Sequence, residues 1–185
     1  MGSDAEERSI WKVYGTRTIY DNPWIKLDLV DLEQPNGNRF EHHVVRLRTA
    51  AVAVVLDEQE RVLMLWRHRF VADRWGYELP GGLVDDGEEP IETVAREIEE
   101  ETGYRAGKIE PLVSFEPMVG MVDSPHHLFL ARDLERVGEP TETTESARMQ
   151  WVPLTSVPDL IGKGEIWSSG TLIALMQVLL LRQER

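Results

Sequence analysis

Alternating apolar and polar positions mark the first fifty residues as strand rather than helix. In "WIKLDLVDLE" (24–33), Ile25, Leu27 and Leu29 fall on one face and Lys26 and Asp28 on the other, the period of two of a half-buried strand. "WKVYGTRTIY" (11–20) and "RFEHHVVRLR" (39–48) read as strands on either side of it. "DNP" (21–23) and "PNGN" (35–38) carry turn chemistry, and Asn36-Gly37 between two strand patterns predicts a hairpin. Residues 1–8, polar and acidic, are expected to form a disordered tail.

Beyond residue 49 the period changes repeatedly. "AAVAVVLDEQERVLMLWRHRF" (50–70) predicts two buried strands around a short polar turn. A helix follows over about 90–102, where Ile91, Val94, Ala95 and Ile98 stand at i, i+3, i+4 and i+7 as a docking stripe. Strands are expected in "IEPLVSFEP" (109–117), "HHLFLARDL" (126–134) and "RMQWVPL" (148–154), with a charged loop over 135–146 before the last. "SVPDLIGKG" (156–164) predicts a short helix ended by glycine. A final helix over 169–183 offers Leu172, Ile173, Leu175, Met176, Leu179 and Leu180 as its apolar face. Ser168 or Ser169 suits its N-cap, and Arg182 and Arg185 suit its negative C-terminal end. Strands first, then strands mixed with helices, predict an α/β (α+β) fold in which a mixed sheet is packed by helices. The expected organisation is a tail over 1–8, a β-rich region over 9–48 and a main domain over 49–185.

Composition narrows the function. A hydrophobic content of 42% with six tryptophans describes a folded globule. The net charge of −13 argues against nucleic-acid polymers and anionic membranes as partners and favours cations. With no cysteine, thiolate catalysis and sulfur-ligated zinc are excluded. The apolar run "LIALMQVLLL" (172–181) is half of what a bilayer needs, and the acidic N-terminus does not read as a secretory signal, so a cytoplasmic protein is expected.

The central oddity is the helix "PIETVAREIEEET", in which Glu97, Glu99, Glu100 and Glu101 crowd into five positions. Like charges so close repel. Glu97, Glu100 and Glu101, at i, i+3 and i+4, share one face, and a hard dication taking oxygens from all three would remove the penalty. The competing explanation is a solvated helix face.

The surrounding residues decide between them. Gly82, Glu88, Arg96, Glu97, Glu100, Glu101 and Gly103 fill the pattern G-x5-E-x7-R-E-U-x-E-E-x-G-U, with Ile98 and Tyr104 at the bulky U positions. Seven such matches arise by chance roughly once in 10^8 windows. This stretch resembles the Nudix box. The resemblance implies an α/β/α sandwich whose loop–helix–loop unit binds Mg²⁺ or Mn²⁺ and assists water attack on a diphosphate linked to another moiety. It implies metal ligands at Glu97, Glu100, Glu101 and the Gly81 carbonyl. Glu100 and Glu101 belong to the catalytic set with Arg96, which lies where it could fold back onto Glu88.

Sequence outside the box resembles the ADP-ribose pyrophosphatase branch. About fifty β-rich residues precede the core, as in enzymes that often exchange this part in a homodimer. Pro117 stands fourteen residues beyond Gly103, and "WVPLTSVPDLIGKGEIWSSGTLIALM" looks like that branch's C-terminal part. "LPGG", where many relatives have alanine before the box glycine, is a departure. Relatives of this branch often draw a catalytic glutamate from the loop over 135–146, so the base is expected from Glu139, Glu142 or Glu145; alignment on "WVPL" favours Glu145 with Glu142 close behind, and a solvated acidic loop competes. Arg67, Arg69 and Arg74 could meet substrate phosphates, Arg69 by its resemblance to the family's phosphate-binding arginine. Trp24 or Trp75 could stack on a base, although core or interface packing competes. His42-His43 and His126-His127 lack metal spacing. The implied reaction is ADP-ribose to AMP and ribose 5-phosphate. The alternatives are a sugar nucleotide, a dinucleoside polyphosphate, or a non-catalytic nucleotide sensor.

Overall fold

The computed structural model describes residues 9–142 and 144–183. The expected tail over 1–8 and the capping role of Arg185 lie outside them. The chain divides into two compact units, one running through Arg48 and taking in Met118–Ser124, the other formed by Thr49–Pro117 and Pro125–Arg185.

The first unit is one sheet in the order β1-β2-β3-β9. Strands β1 (Lys12–Asp21), β2 (Lys26–Glu33) and β3 (Arg39–Arg46) form an antiparallel meander, and β9 (Val122–Asp123) joins β3 in parallel. The Asn36-Gly37 hairpin is present: Gly37, at φ 85°, donates its N–H to the Gln34 carbonyl at 2.9 Å. Strict alternation fails in β2, because Asp28 is buried beside Leu29 and Val30. Arg46 at 2.7 Å and Thr18 at 2.9 Å satisfy its carboxylate, which makes that burial tolerable.

In the second unit, β4 (Ala50–Val55) lies at the centre of a mixed sheet ordered β7-β4-β10-β8. It runs parallel to β10 (His126–Arg136) and antiparallel to β7 (Gly81–Leu83); β8 (Tyr104–Phe115) is antiparallel to β10. A second sheet, β11-β5-β6, joins β5 (Arg61–Arg69) to β6 (Arg74–Glu78) and β11 (Arg148–Pro153). Helix α1 spans Pro90–Thr102, α2 Val157–Gly162 and α3 Ser169–Gln183. Ala51, Ala53 and Val55 form one buried cluster with Val94 and Ile98 of α1. Val54 and Leu56 form another with Ala174, Leu175 and Val178 of α3. The period of two thus gives β4 a helix on each face. The small side chains on the α1 side let that helix approach the sheet closely.

The docking stripe of α1 differs from the expected one. Val94 and Ile98 are buried, but Ile91 and Ala95 are exposed, and Thr93, Glu101 and Thr102 complete the buried face. The helix is rotated toward its acidic end, which carries Glu101 inward. Helix α3 buries Thr171, Ala174, Leu175 and Val178 while Met176 and Leu180 face solvent, so its apolar width exceeds what the sheet covers. Strands β6, β7 and β9 were not expected from the sequence, and β8 starts five residues early. Among the described residues no helix is long and apolar enough to cross a membrane.

Gly103 ends α1 in the left-handed region at φ 71°, its N–H bonded to the Glu99 carbonyl at 2.9 Å. A Cβ there would meet the Gly138 carbonyl oxygen at 2.3 Å. Gly103→Ala is therefore expected to lose about 1–3 kcal/mol of stability, measured by urea unfolding.

Candidate active site

The site is assembled around α1. Pro90 occupies the first turn, and the Glu89 N–H donates to the Glu92 carboxylate at 3.0 Å, fixing the helix start. Arg96 then reaches back to Glu88 with both Nε and Nη2 at 3.2 Å, a two-pronged pair that ties the loop after β7 to the helix. Thr93 adds an O–H donor to Glu88 at 2.6 Å. Arg96 and Thr93 hold the Glu88 carboxyl down at about 2.

The remaining face of Arg96 serves the acidic cluster. Its Nη1 donates to Glu97 at 2.8 Å and to Glu100 at 3.0 Å. Glu97 lies directly against Gly82, where a Cβ would meet its Oε1 at 2.3 Å, so a side chain there would push the Glu97 carboxylate aside. Glu101 is buried; its Oε2 accepts the Gly81 N–H at 2.9 Å and its Oε1 accepts Arg67 Nη2. The three carboxylates therefore do not converge on one point as expected. Among the described residues no three acidic or histidine side chains stand close enough to hold a metal ion as arranged. Arginines separate them, two on Arg96 and one on Arg67.

Burial makes these negative charges uncomfortable. It pushes Glu101 up to about 7, against the pull of Arg67 and the Gly81 N–H. Burial also raises Glu97, opposed by Arg96. Oxygen donors that are partly stripped of water and strained toward protonation suit a hard divalent cation. The donor set therefore fits one.

The acidic loop after β10 docks on the C-terminal end of α1. Thr141 and Glu142 donate their N–H groups to the Glu100 carbonyl at 2.8 and 3.0 Å, and Val137 donates to the Gly103 carbonyl at 2.9 Å. These donors satisfy carbonyls that the helix end leaves open. A cavity of about 490 Å³ lies between loop and helix, with Arg96, Glu100, Gly138 and Thr141 in its wall. Of the candidate bases, Glu139 pairs with Arg136 at 3.0 Å and Glu142 with Thr144 at 2.5 Å. Glu145 is exposed, and its charge, after that of Glu78, helps hold Arg69 protonated.

Arg69 is half exposed and forks onto Glu78 at 3.0 and 2.5 Å. It lines a second cavity of about 290 Å³ with Glu78, Gly81, His126, Trp167 and the first turn of α3. Arg67 is not the accessible cation expected, being 2% exposed and engaged with Glu101 and Ser146. Pro117 is exposed beyond the end of β8. Trp24 belongs to the first unit, 67% exposed, with its N–H on Asn22 at the β1–β2 turn. Trp75 stacks on Trp66 at 6.2 Å. The sequence reading does not single out Glu78, Ser146 or Trp167. Glu78 alone left a trace, as an acid inside the apolar "YEL".

A glycine-framed acidic helix pinned to its loop by Arg96, beside a mixed sheet covered by helices, defines a Nudix hydrolase. The chain belongs to the NUDIX family, whose domain matches residues 46–174. It is 50% identical over 169 residues to a CMP-5'-(N-acetyl-N-hydroxy-3-aminopropyl)phosphonate hydrolase of Streptomyces rubellomurinus, covering 91% of this chain and 82% of that one. It is 30% identical over 172 residues to an ADP-ribose pyrophosphatase of Bacillus subtilis, covering 92% and 91%. A crystal structure of an ADP compounds hydrolase shares the fold with a TM-score of 0.81 at 19% identity, over 94% of this chain and 95% of that one.

The Glu88–Arg96 pair yields a pH test. Its folded pKa lies below its ordinary 4.5, so its stabilisation is complete above that value and is lost as pH falls toward about 2. Glu88→Gln should lose about 1–3 kcal/mol at pH 7 in urea unfolding. The gap to the wild type should close between those two pH values.

Proposed function

We propose that this Nudix hydrolase cleaves the phosphoanhydride of a nucleoside diphosphate derivative, with Mg²⁺ or Mn²⁺ held by Glu97, Glu100 and Glu101. The observation that carries this reading is the placement of Glu97 against Gly82 and of Glu101 on the Gly81 N–H, both driven toward protonation by burial, with Glu100 tied to Glu97 through Arg96. A divalent cation there supplies charge for the diphosphate oxygens and a more acidic attacking water. Arg96, locked by Glu88, keeps Glu97 and Glu100 in register. Arg69, half exposed at the 290 Å³ cavity, offers a planar guanidinium to a phosphate. Glu145 accepts the proton of the attacking water, since Glu139 and Glu142 already have partners at close range.

The leaving moiety has two readings with the same chemistry. The β-rich N-terminal unit and Pro117 support ADP-ribose, cleaved to AMP and ribose 5-phosphate. The relative at 50% identity supports a CMP-linked phosphonate, and its higher identity favours that substrate. We read the protein further as a cytoplasmic homodimer built on β1–β3; light scattering on the 21.2 kDa chain tests the dimer.

Substrates of both kinds, with GDP-mannose as a third, are compared by chromatographic release of the nucleoside monophosphate. EDTA should abolish release. Glu101→Gln should lower kcat at least about 100-fold, since it removes a charged cation ligand. Glu145→Gln should lower kcat by about 100-fold or more, the range of a lost general base. Wild-type turnover by Glu101→Gln refutes the metal assignment. Binding of all three substrates without cleavage supports a nucleotide sensor instead.

A further inference from the structure

Arg67 is the one candidate cation that the site buries. It lies on β5, 2% exposed, and its guanidinium divides among three elements. Nη2 donates to Glu101 on α1, and Nε donates to Ser146 Oγ at 2.9 Å in the acidic loop. Nη1 stands 4.0 Å from Glu78 on β6. Arg67 also borders the 290 Å³ cavity, but two of its three guanidinium nitrogens already donate to Glu101 and Ser146.

We propose that Arg67 is a positioning residue for hydrolysis, locking the Glu101 carboxylate and the Glu145-bearing loop into one frame. The proposal rests on the roles given above to Glu101 and Glu145. Ser146 directly follows Glu145, and the next residue, Ala147, donates its N–H to the Trp66 carbonyl at 2.9 Å. Two adjacent residues of β5 thus fix the end of the loop, one through backbone and one through side chain. Arg69, two residues along the same strand, pairs with Glu78 and feels the charge of Glu145. The alternating series Arg69, Glu78, Arg67, Glu101 places α1 and the loop at a set distance from a single strand. A planar fork with donors in fixed directions suits such a junction, whereas a lysine ammonium could not serve both Ser146 and Glu101 with the same geometry.

The experiment compares Arg67→Met, Ser146→Ala and the double variant by steady-state kinetics, with amide exchange of the 137–147 segment read by mass spectrometry. A lost frame should lower kcat about 100-fold in Arg67→Met, with KM within about threefold. Ser146→Ala should lower kcat about fivefold, and the double variant should fall no lower than Arg67→Met. Exchange across 137–147 should quicken in both single variants. A KM increase of about tenfold with kcat unchanged would make Arg67 a substrate ligand and overturn the proposal. Additive losses, or wild-type exchange in the loop, also overturn it. Because loss of one partner from a buried pair is destabilising, Arg67→Met is checked by circular dichroism. If it does not fold, Ser146→Ala decides, and wild-type kcat with wild-type exchange there refutes the frame. Loss of activity in Glu101→Gln but not in Arg67→Met defeats this inference alone, whereas wild-type activity in Glu101→Gln defeats the metal reading on which it rests.

Discussion

A carboxylate taken out of water needs positive charge or donors close by, and Glu101 is the carboxylate around which this site is organised. Its burial follows from the rotation of α1, which puts Val94 and Ile98 on the alanine-lined face of β4 and carries Glu101 in with them. Once buried, it meets the Gly81 N–H on one oxygen and Arg67 on the other. Those two contacts fix β7 and β5 relative to the helix. Gly81 must stay glycine for a related reason: a Cβ there would lie 2.4 Å from the Ala51 carbonyl oxygen of β4. One desolvated acid therefore ties two strands to a helix, and the glycine it bonds packs against a third strand.

The helix itself was legible because its signals are local. Proline in the first turn, glycine just past the end and the fixed motif spacing all lie between Gly82 and Tyr104, and the helix spans Pro90–Thr102 as expected. The hairpin at Asn36-Gly37 and the final helix were readable for the same reason. The short strands were not. Gly81–Leu83 carries no alternation to detect, and Val122–Asp123 pairs only because β3 lies beside it. The burial of Arg67 was equally hidden, since in "LWRHRF" Arg67 and Arg69 look alike. Only tertiary structure separates a residue 2% exposed from one nearly half exposed.

The docking stripe shows where local pattern misleads. Spacing alone admits Ile91, Val94, Ala95 and Ile98 or the same helix turned toward Glu101 and Thr102. Apolar count favours the first choice. The structure takes the second, because Arg67 and Gly81 supply what Glu101 needs, and Thr102 donates its hydroxyl to the Ile98 carbonyl. A buried acid has displaced two apolar residues from the core-facing side, a local inconsistency of the kind expected at working sites.

The crowding of four glutamates into five positions resolves once each is followed to its partner. Glu99 leaves the cluster altogether, forming a two-pronged exposed pair with Arg105 at 3.0 and 3.1 Å. Glu97 and Glu100 share one guanidinium, and Glu101 has another. The helix thus sends its acids in three directions, and an arginine stands between them, which lowers their mutual repulsion. The partition also separates roles by environment. Glu99 faces water and can contribute little beyond a surface pair. Glu97 and Glu101 lie against glycine backbone at Gly82 and Gly81, and Glu100 stays beside Glu97 on Arg96. Charge density that looks excessive along the chain is, in three dimensions, one solvated pair, one half-exposed acid on Arg96 and two acids drawn out of water.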